Sequence, residues 1–210
     1  MNHRRFGSAI AAAVVLWPTV HVHVSGAAQI YRIDPANSRV TIHVGKAGVF
    51  SFVAGHSHEV GGPIASGDVD VDPNSPAQGR IRLEISAAEL RVSAASEPEG
   101  DAPKVQEAMS GPKVLDVAHQ PQIRYESTAV TVKSGHGKVL DLVVAGRLTI
   151  REVTQPVTAA VHAEFGENGL KATGRFAIKQ SAFGITPISV GGVVAVKDEL
   201  QIEFSIVATT

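Results

Sequence analysis

The residues best suited to chemistry in this sequence lie between Gly55 and Glu59, which read Gly-His-Ser-His-Glu. His56 and His58 are two residues apart, and residues i and i+2 point to the same side of an extended strand. Such a pair can present two imidazoles to one metal ion, with Glu59 or His43 as a candidate for a further ligand. The alternative is that both histidines lie in an exposed loop or at the mouth of a barrel. Because no third ligand is evident, the sequence predicts no metal site, and His56 and His58 are its candidate ligands if one exists.

Ser57 lies between these histidines and is a candidate nucleophile. The nucleophile elbow of serine hydrolases has the pattern G-x-S-x-G, and Glu59 occupies the position of its second glycine here. No aspartate has a spacing that pairs it with His56 on sequence grounds alone. We therefore expect no catalytic residues and no enzymatic activity, with a lipid-acting enzyme as the alternative.

Three aspartates, Asp68, Asp70 and Asp72, alternate with two valines and are the third candidate for chemistry. A calcium-binding loop needs glycine at its sixth position and glutamate at its twelfth, and counting from Asp68 these positions hold Pro73 and Gly79. The pattern therefore favours a solvated strand face over a calcium site.

The elements that would position these side chains are β-strands, and the stretch Val139–Phe165 predicts a long hairpin. Its first arm is rich in valine, leucine and isoleucine, and its turn lies near Arg151. Its second arm alternates strictly, because every second residue from Val157 to Phe165 is apolar. Proline cannot donate to a strand ladder, so we expect Pro156 to be the first residue of this arm.

The same period-two alternation recurs along most of the chain and predicts eight to ten strands. One short helix is expected from about Pro103 to Ser110, before Gly111-Pro112. Many alternating strands joined by turns indicate a single all-β domain with antiparallel pairing. Long strands leave long exposed edges unless the sheet closes, so we expect an extended antiparallel β-barrel.

The first 28 residues are predicted to be a secretory signal peptide. Arg4 and Arg5 precede an apolar run from Ser8 to Trp17, and a tail of small residues ends at Ala28. The apolar run is too short for a stable membrane span. We therefore expect a periplasmic or secreted protein whose folded domain comprises residues 29–210.

Composition excludes several functional classes. The formal net charge is −1, so nothing in the overall charge suggests binding to nucleic acid or to an anionic membrane. There is no cysteine, although an exported protein can use disulfides. Stability must therefore come from a well-packed core.

Several segments, taken in order, resemble the YceI-like family of exported bacterial proteins, which is also described as polyisoprenoid-binding or lipocalin-like. They cover most of the domain: Tyr31–Asp34, Ser38–Val44, Val114–Asp116, Pro121–Ser127, Gly146–Ile150, Val153–Val157, Gly174–Gly184 and the last strand. The resemblance implies a lipocalin-like barrel whose core holds a long isoprenoid or a fatty-acid-like lipid. It implies no catalytic residues and no cofactor other than such a lipid, and it leaves open whether the protein is a homodimer.

The leading hypothesis is therefore an exported protein that carries or sequesters a long apolar ligand, and the runner-up is a metal-binding barrel that uses His56 and His58. An eight-stranded barrel is just wide enough to hold one small ligand, and few aromatic residues are available to fill it. The candidate cavity-lining residues are apolar or aromatic: Ile42, Val44, Phe50, Phe52, Tyr125, Leu148, Ile150, Phe176, Ile178, Phe183 and Phe204.

Overall fold

The computed structural model of this chain describes residues 28–47, 57–190 and 194–210, with the backbone alone for Val190, Val194 and Ala195. These residues form twelve strands and one α-helix, α1 (Ala102–Ser110). The strands are β1 (Gln29–Ile33), β2 (Arg39–Ala47), β3 (His58–Pro63), β4 (Ser66–Val71), β5 (Arg80–Ser86), β6 (Arg91–Val92), β7 (Gln122–His136), β8 (Val139–Ile150), β9 (Val153–Phe165), β10 (Gly169–Lys179), β11 (Ser189–Val190) and β12 (Val194–Thr209).

Eight strands close an antiparallel barrel in the order β1, β4, β5, β7, β8, β9, β10 and β12. The barrel closes where β12 pairs with β1, through Arg32 with Thr209 and Ile33 with Ala208. This confirms the predicted all-β antiparallel barrel with one short helix. The sequence predicted eight to ten strands, and the described residues contain twelve. The two additional strands are β6 and β11, which have only two residues each.

Strand β12 is sixteen residues long and changes neighbours along its length. Its C-terminal end pairs with β1, whereas residues 195–205 pair with β2, which continues into β3 and β6. The chain passes from β1 to β2 at Ser38, whose side chain is fully buried. The Ser38 hydroxyl donates to the Val207 carbonyl oxygen and accepts from the Val207 N–H, both at 3.0 Å. Ser38 thus supplies, from its side chain, the bonds that a strand backbone would otherwise make to β12.

Helix α1 covers the edge of β6 that faces away from β3. The Gln106 side chain accepts a hydrogen bond from the Val92 N–H at 2.9 Å and donates one to the Leu90 carbonyl oxygen at 3.1 Å. A strand edge is normally covered or paired in this way because its free N–H and C=O groups need partners. In the described part of the chain, no helix has the length and apolar character that crossing a bilayer requires.

The predicted hairpin is present as β8 and β9, joined by Arg151 and Glu152. The prediction for Pro156 is wrong, because β9 begins three residues earlier, at Val153, and Pro156 pairs with Arg147 inside the strand. The ladder between β9 and β10 ends at Ala160, so the missing N–H of Pro156 removes no hydrogen bond from that ladder.

The aspartates follow the predicted strand face only in part. Asp68 lies on the outer face of β4 and pairs with Arg82 at 3.1 Å. Asp72 is buried just beyond the strand, where its Oδ1 accepts from the Asn74 backbone N–H at 2.9 Å. The strand ends at Val71, so the period-two rule no longer applies to Asp72.

We expect Ser38→Ala to lower the free energy of unfolding by about 1–3 kcal/mol, because it leaves the half-buried Val207 N–H without its acceptor beside the fully buried Ser38 side chain. Urea denaturation measures the effect. Ser66→Ala is the matched control, because Ser66 is exposed and makes one 3.2 Å bond to Glu84. A Ser38 variant no less stable than the Ser66 variant would show that this bond pair does not hold the barrel closed.

Candidate functional site

The interior of the barrel is apolar because every strand presents alternate residues to it. On β8, Leu142, Val144 and Leu148 are buried, whereas Asp141 and Arg147 are exposed. The buried residues form two clusters, one at each end of the barrel. Space left between these side chains forms two adjoining cavities.

The larger cavity, which we call the upper chamber, has a volume of about 450 Å³ and lies beside α1. Its walls come from β2, β3, β8, β10 and β12, and from the segment around Phe183. Volumes of this size are typical of small-molecule sites, which measure about 300–1,000 Å³. The upper chamber is therefore large enough for a ligand.

The smaller cavity, which we call the lower chamber, has a volume of about 120 Å³ and lies toward β1 and β4. Val40, Ile85, Leu148, Phe176 and Ile202 line both chambers. The two chambers therefore adjoin end to end and share these walls.

The structure describes nine of the eleven candidate cavity-lining residues, and all nine line a chamber. Five line the upper chamber alone: Ile42, Val44, Ile150, Ile178 and Phe183. Tyr125 and Phe204 line the lower chamber, and Leu148 and Phe176 line both. Phe50 and Phe52 lie outside the described residues. That these residues contact a ligand stays a prediction.

Sequence reasoning missed the part of the upper chamber that comes from α1 and the loop after it. Val105, Ala108 and Met109 line the chamber from the helix, and Val114 and Leu115 line it from the loop. Their spacing at i, i+3 and i+4 was a signal that one helix face is apolar. The sequence alone did not indicate which gap in the barrel this face would cover.

Two glycines on the inner face give aromatic rings room to lie flat against the wall. A Cβ atom at Gly146 would lie 2.5 Å from the Tyr125 ring and hydroxyl. A Cβ atom at Gly174 would overlap the Phe204 ring and lie 2.6 Å from the Ala160 carbonyl oxygen. The Phe204 ring also lies 6.4 Å from that of Phe176, at an angle of 52°. Glycine at both positions thus determines the shape of the cavity.

The polar groups of the upper chamber are few, and neighbouring residues hold them in place. The His58 Nδ1 lies 2.7 Å from Oε1 of Glu97, whose side chain is buried. The Gln180 side chain donates to the Lys197 carbonyl oxygen at 2.8 Å. Lys46 and Lys104 also line the chamber, and the Lys104 Nζ lies 2.9 Å from Asp101 Oδ1. Among the described residues of the lining, the basic side chains are Lys46, Lys104 and His58.

The strand register separates the histidine candidates. His43 pairs with Glu59, and Val44 pairs with His58. Val44 and His58 line the upper chamber, so His43 and Glu59 lie on the outer face, where His43 is 3.7 Å from Glu59 and 3.8 Å from Glu203. His43, His58 and Glu59 nevertheless line one small pocket, so the suggestion of His43 or Glu59 as a further ligand stays a prediction. His56 lies outside the described residues, and those described contain no group of three potential ligands arranged for a metal.

Comparison with known proteins agrees with this architecture. The family model of the YceI-like domain matches residues 31–208 of this sequence. The chain belongs to the YceI-like family. No curated protein sequence matches it.

Solved structures show the same fold. The crystal structure of Burkholderia cenocepacia BcnA is 25% identical, with a TM-score of 0.59, and the match covers 84% of this chain and 99% of that one. The Campylobacter jejuni YceI protein is 14% identical, with a TM-score of 0.50, and the match covers 69% of this chain and 80% of that one. A mutant of the Campylobacter protein that has monobromobimane as a guest matches equally well.

We expect Gly174→Ala to destabilise this YceI-like barrel more than Gly146→Ala. The Tyr125 ring can move away from a new methyl group into the cavity, whereas the Ala160 carbonyl oxygen belongs to the neighbouring strand and cannot. Overpacking of this kind costs about 1–3 kcal/mol. Thermal denaturation followed by circular dichroism measures both variants. Equal losses, or a larger loss for Gly146→Ala, would contradict this account of the wall.

Proposed function

We propose that this protein binds one long apolar chain, of the polyisoprenoid or fatty-acid type, inside its barrel. The observation that carries the proposal is the pair of adjoining chambers, about 450 and 120 Å³, with almost entirely apolar walls. The resemblance to polyisoprenoid-binding proteins agrees with it. The activity is binding, and it requires no bond to be made or broken.

The energetics favour a chain of at least about ten carbons. Burying each methylene contributes about 0.8 kcal/mol. Association costs several kcal/mol in lost freedom, so a short chain binds weakly and a long one can bind well without polar contacts. Filling the chambers also restores the dispersion contacts that side chains facing a void lack.

The binding test uses delipidated protein and displacement of a fluorescent apolar dye by prenols and fatty acids of increasing length. We expect affinity to rise with chain length until the chambers are full. Ile178→Asp should abolish binding, because it places an unpaired charge in the upper chamber. Ala177→Asp is the matched control, because it adds the same charge one residue away on the exposed face of β10.

Circular dichroism must show that the Ile178 variant is folded, and native mass spectrometry of the wild-type protein gives a second, independent readout. A co-purified lipid would appear there as added mass. Folded wild-type protein that carries no lipid and binds none of these chains would contradict the proposal.

We also propose that the protein acts after export, as a periplasmic or secreted carrier. The support is the signal-peptide layout of residues 1–28. Mass analysis of protein recovered from the periplasm or medium should show a mature chain that begins within about two residues of Ala28. Recovered protein that keeps Met1 would contradict this.

A further inference from the structure

Tyr125 is exceptional in the lower chamber. Every other described residue that lines this chamber is a valine, isoleucine, leucine, alanine, phenylalanine, proline or glycine. The Tyr125 hydroxyl is therefore the one polar side-chain group among the described residues of the lining. Tyr125 also packs against both core clusters, so it lies where the two chambers meet.

The hydroxyl makes no hydrogen bond to any of the described residues, in contrast to that of Tyr31, the other tyrosine, which donates to Gln29 Oε1 at 2.9 Å. A polar group left without a partner in such a place costs about 1–3 kcal/mol. An ordered water is a poor partner here, because a buried water needs two to four polar groups and the described lining offers one.

Gly146 allows this hydroxyl to lie close against the barrel wall. The ring lies across Gly146, with the hydroxyl 2.5 Å from where a Cβ atom would stand. Burial also raises the pKa of Tyr125 to about 12, so the group stays a neutral donor at any physiological pH. It can therefore donate a hydrogen bond to a molecule in the cavity.

We propose that the Tyr125 hydroxyl donates a hydrogen bond to an uncharged carbonyl oxygen on the bound chain, such as that of a ketone, ester or amide. This inference rests on the proposed function and refines it. The protein then prefers chains with one carbonyl group to plain hydrocarbons, and Tyr125 fixes the depth at which that group lies. A carboxylate is a poor fit at this depth, because the lower chamber has no described cationic residue to pair with it.

The test compares heptadecane with ketones of the same length that carry the carbonyl at successive positions, each used to displace a fluorescent dye. For the best-placed ketone, we expect Tyr125→Phe to lower the ketone-to-alkane affinity ratio about 5- to 10-fold, which corresponds to one net hydrogen bond. The ring stays in place, so alkane affinity should not fall. Tyr31→Phe, which removes a hydroxyl outside both chambers, should leave the ratio unchanged.

Infrared spectroscopy of a ketone labelled with carbon-13 at the carbonyl is a second test. The carbonyl stretching frequency would not change if Tyr125 only supported the structure of the barrel. The carbonyl stretch of the bound ketone should lie at lower frequency in the wild-type protein than in the Tyr125→Phe variant. An unchanged affinity ratio for every isomer, or identical carbonyl bands, would overturn the inference while leaving chain binding intact. Failure of the alkane and all ketones to bind folded wild-type protein would overturn this inference and the proposed function together.

Discussion

The two hydrogen bonds between Ser38 and Val207 stabilise the place where the pairing of β12 changes from β2 to β1. Below this point β12 pairs with β1 and the barrel closes, and above it β12 pairs with β2, which leads to β3 and then β6. Because β6 ends this path, one of its edges needs cover, and α1 supplies it through Gln106. The upper chamber therefore exists because the sheet divides at Ser38 and a helix, rather than a strand, completes the wall.

The interior is kept open by small residues as much as by large ones. Gly146 and Gly174 let the Tyr125 and Phe204 rings lie against the wall, where a larger residue would push them inward. Alanines on β9, such as Ala159 and Ala163, are buried without reaching far into the barrel. Leucine at these positions would fill the barrel with its own side chains. The small residues therefore leave a cavity, and the core makes fewer van der Waals contacts as a result.

Much of this could be predicted from the sequence, because the period-two pattern reports which face of a strand is buried. It predicted the β8–β9 hairpin and the inward faces that bear Leu148, Ile150, Phe176 and Ile178. It could not predict the division of the sheet, because Ser38 reads as one more turn residue and its partner lies 169 residues away in sequence. The contribution of α1 was missed because it too depends on tertiary contacts. The sequence pattern shows that one helix face is apolar, but it does not show which part of the barrel that face covers.

The charged side chains inside the barrel favour one orientation of the proposed apolar ligand. The lower chamber has no charged side chain among its described residues, whereas Lys46, Lys104 and His58 line the upper one. Burying an unpaired charge costs far more than burying a neutral carbonyl, so an ionised group would stay in the upper chamber while the chain extends downward. Bound in this way, a ligand would stabilise the fold by RT ln(1 + [L]/Kd), or about 2.7 kcal/mol at a hundredfold excess over Kd. If the proposed chain binds in this way, the stability of the barrel would rise with its occupancy, because the chain would fill space that the walls leave empty.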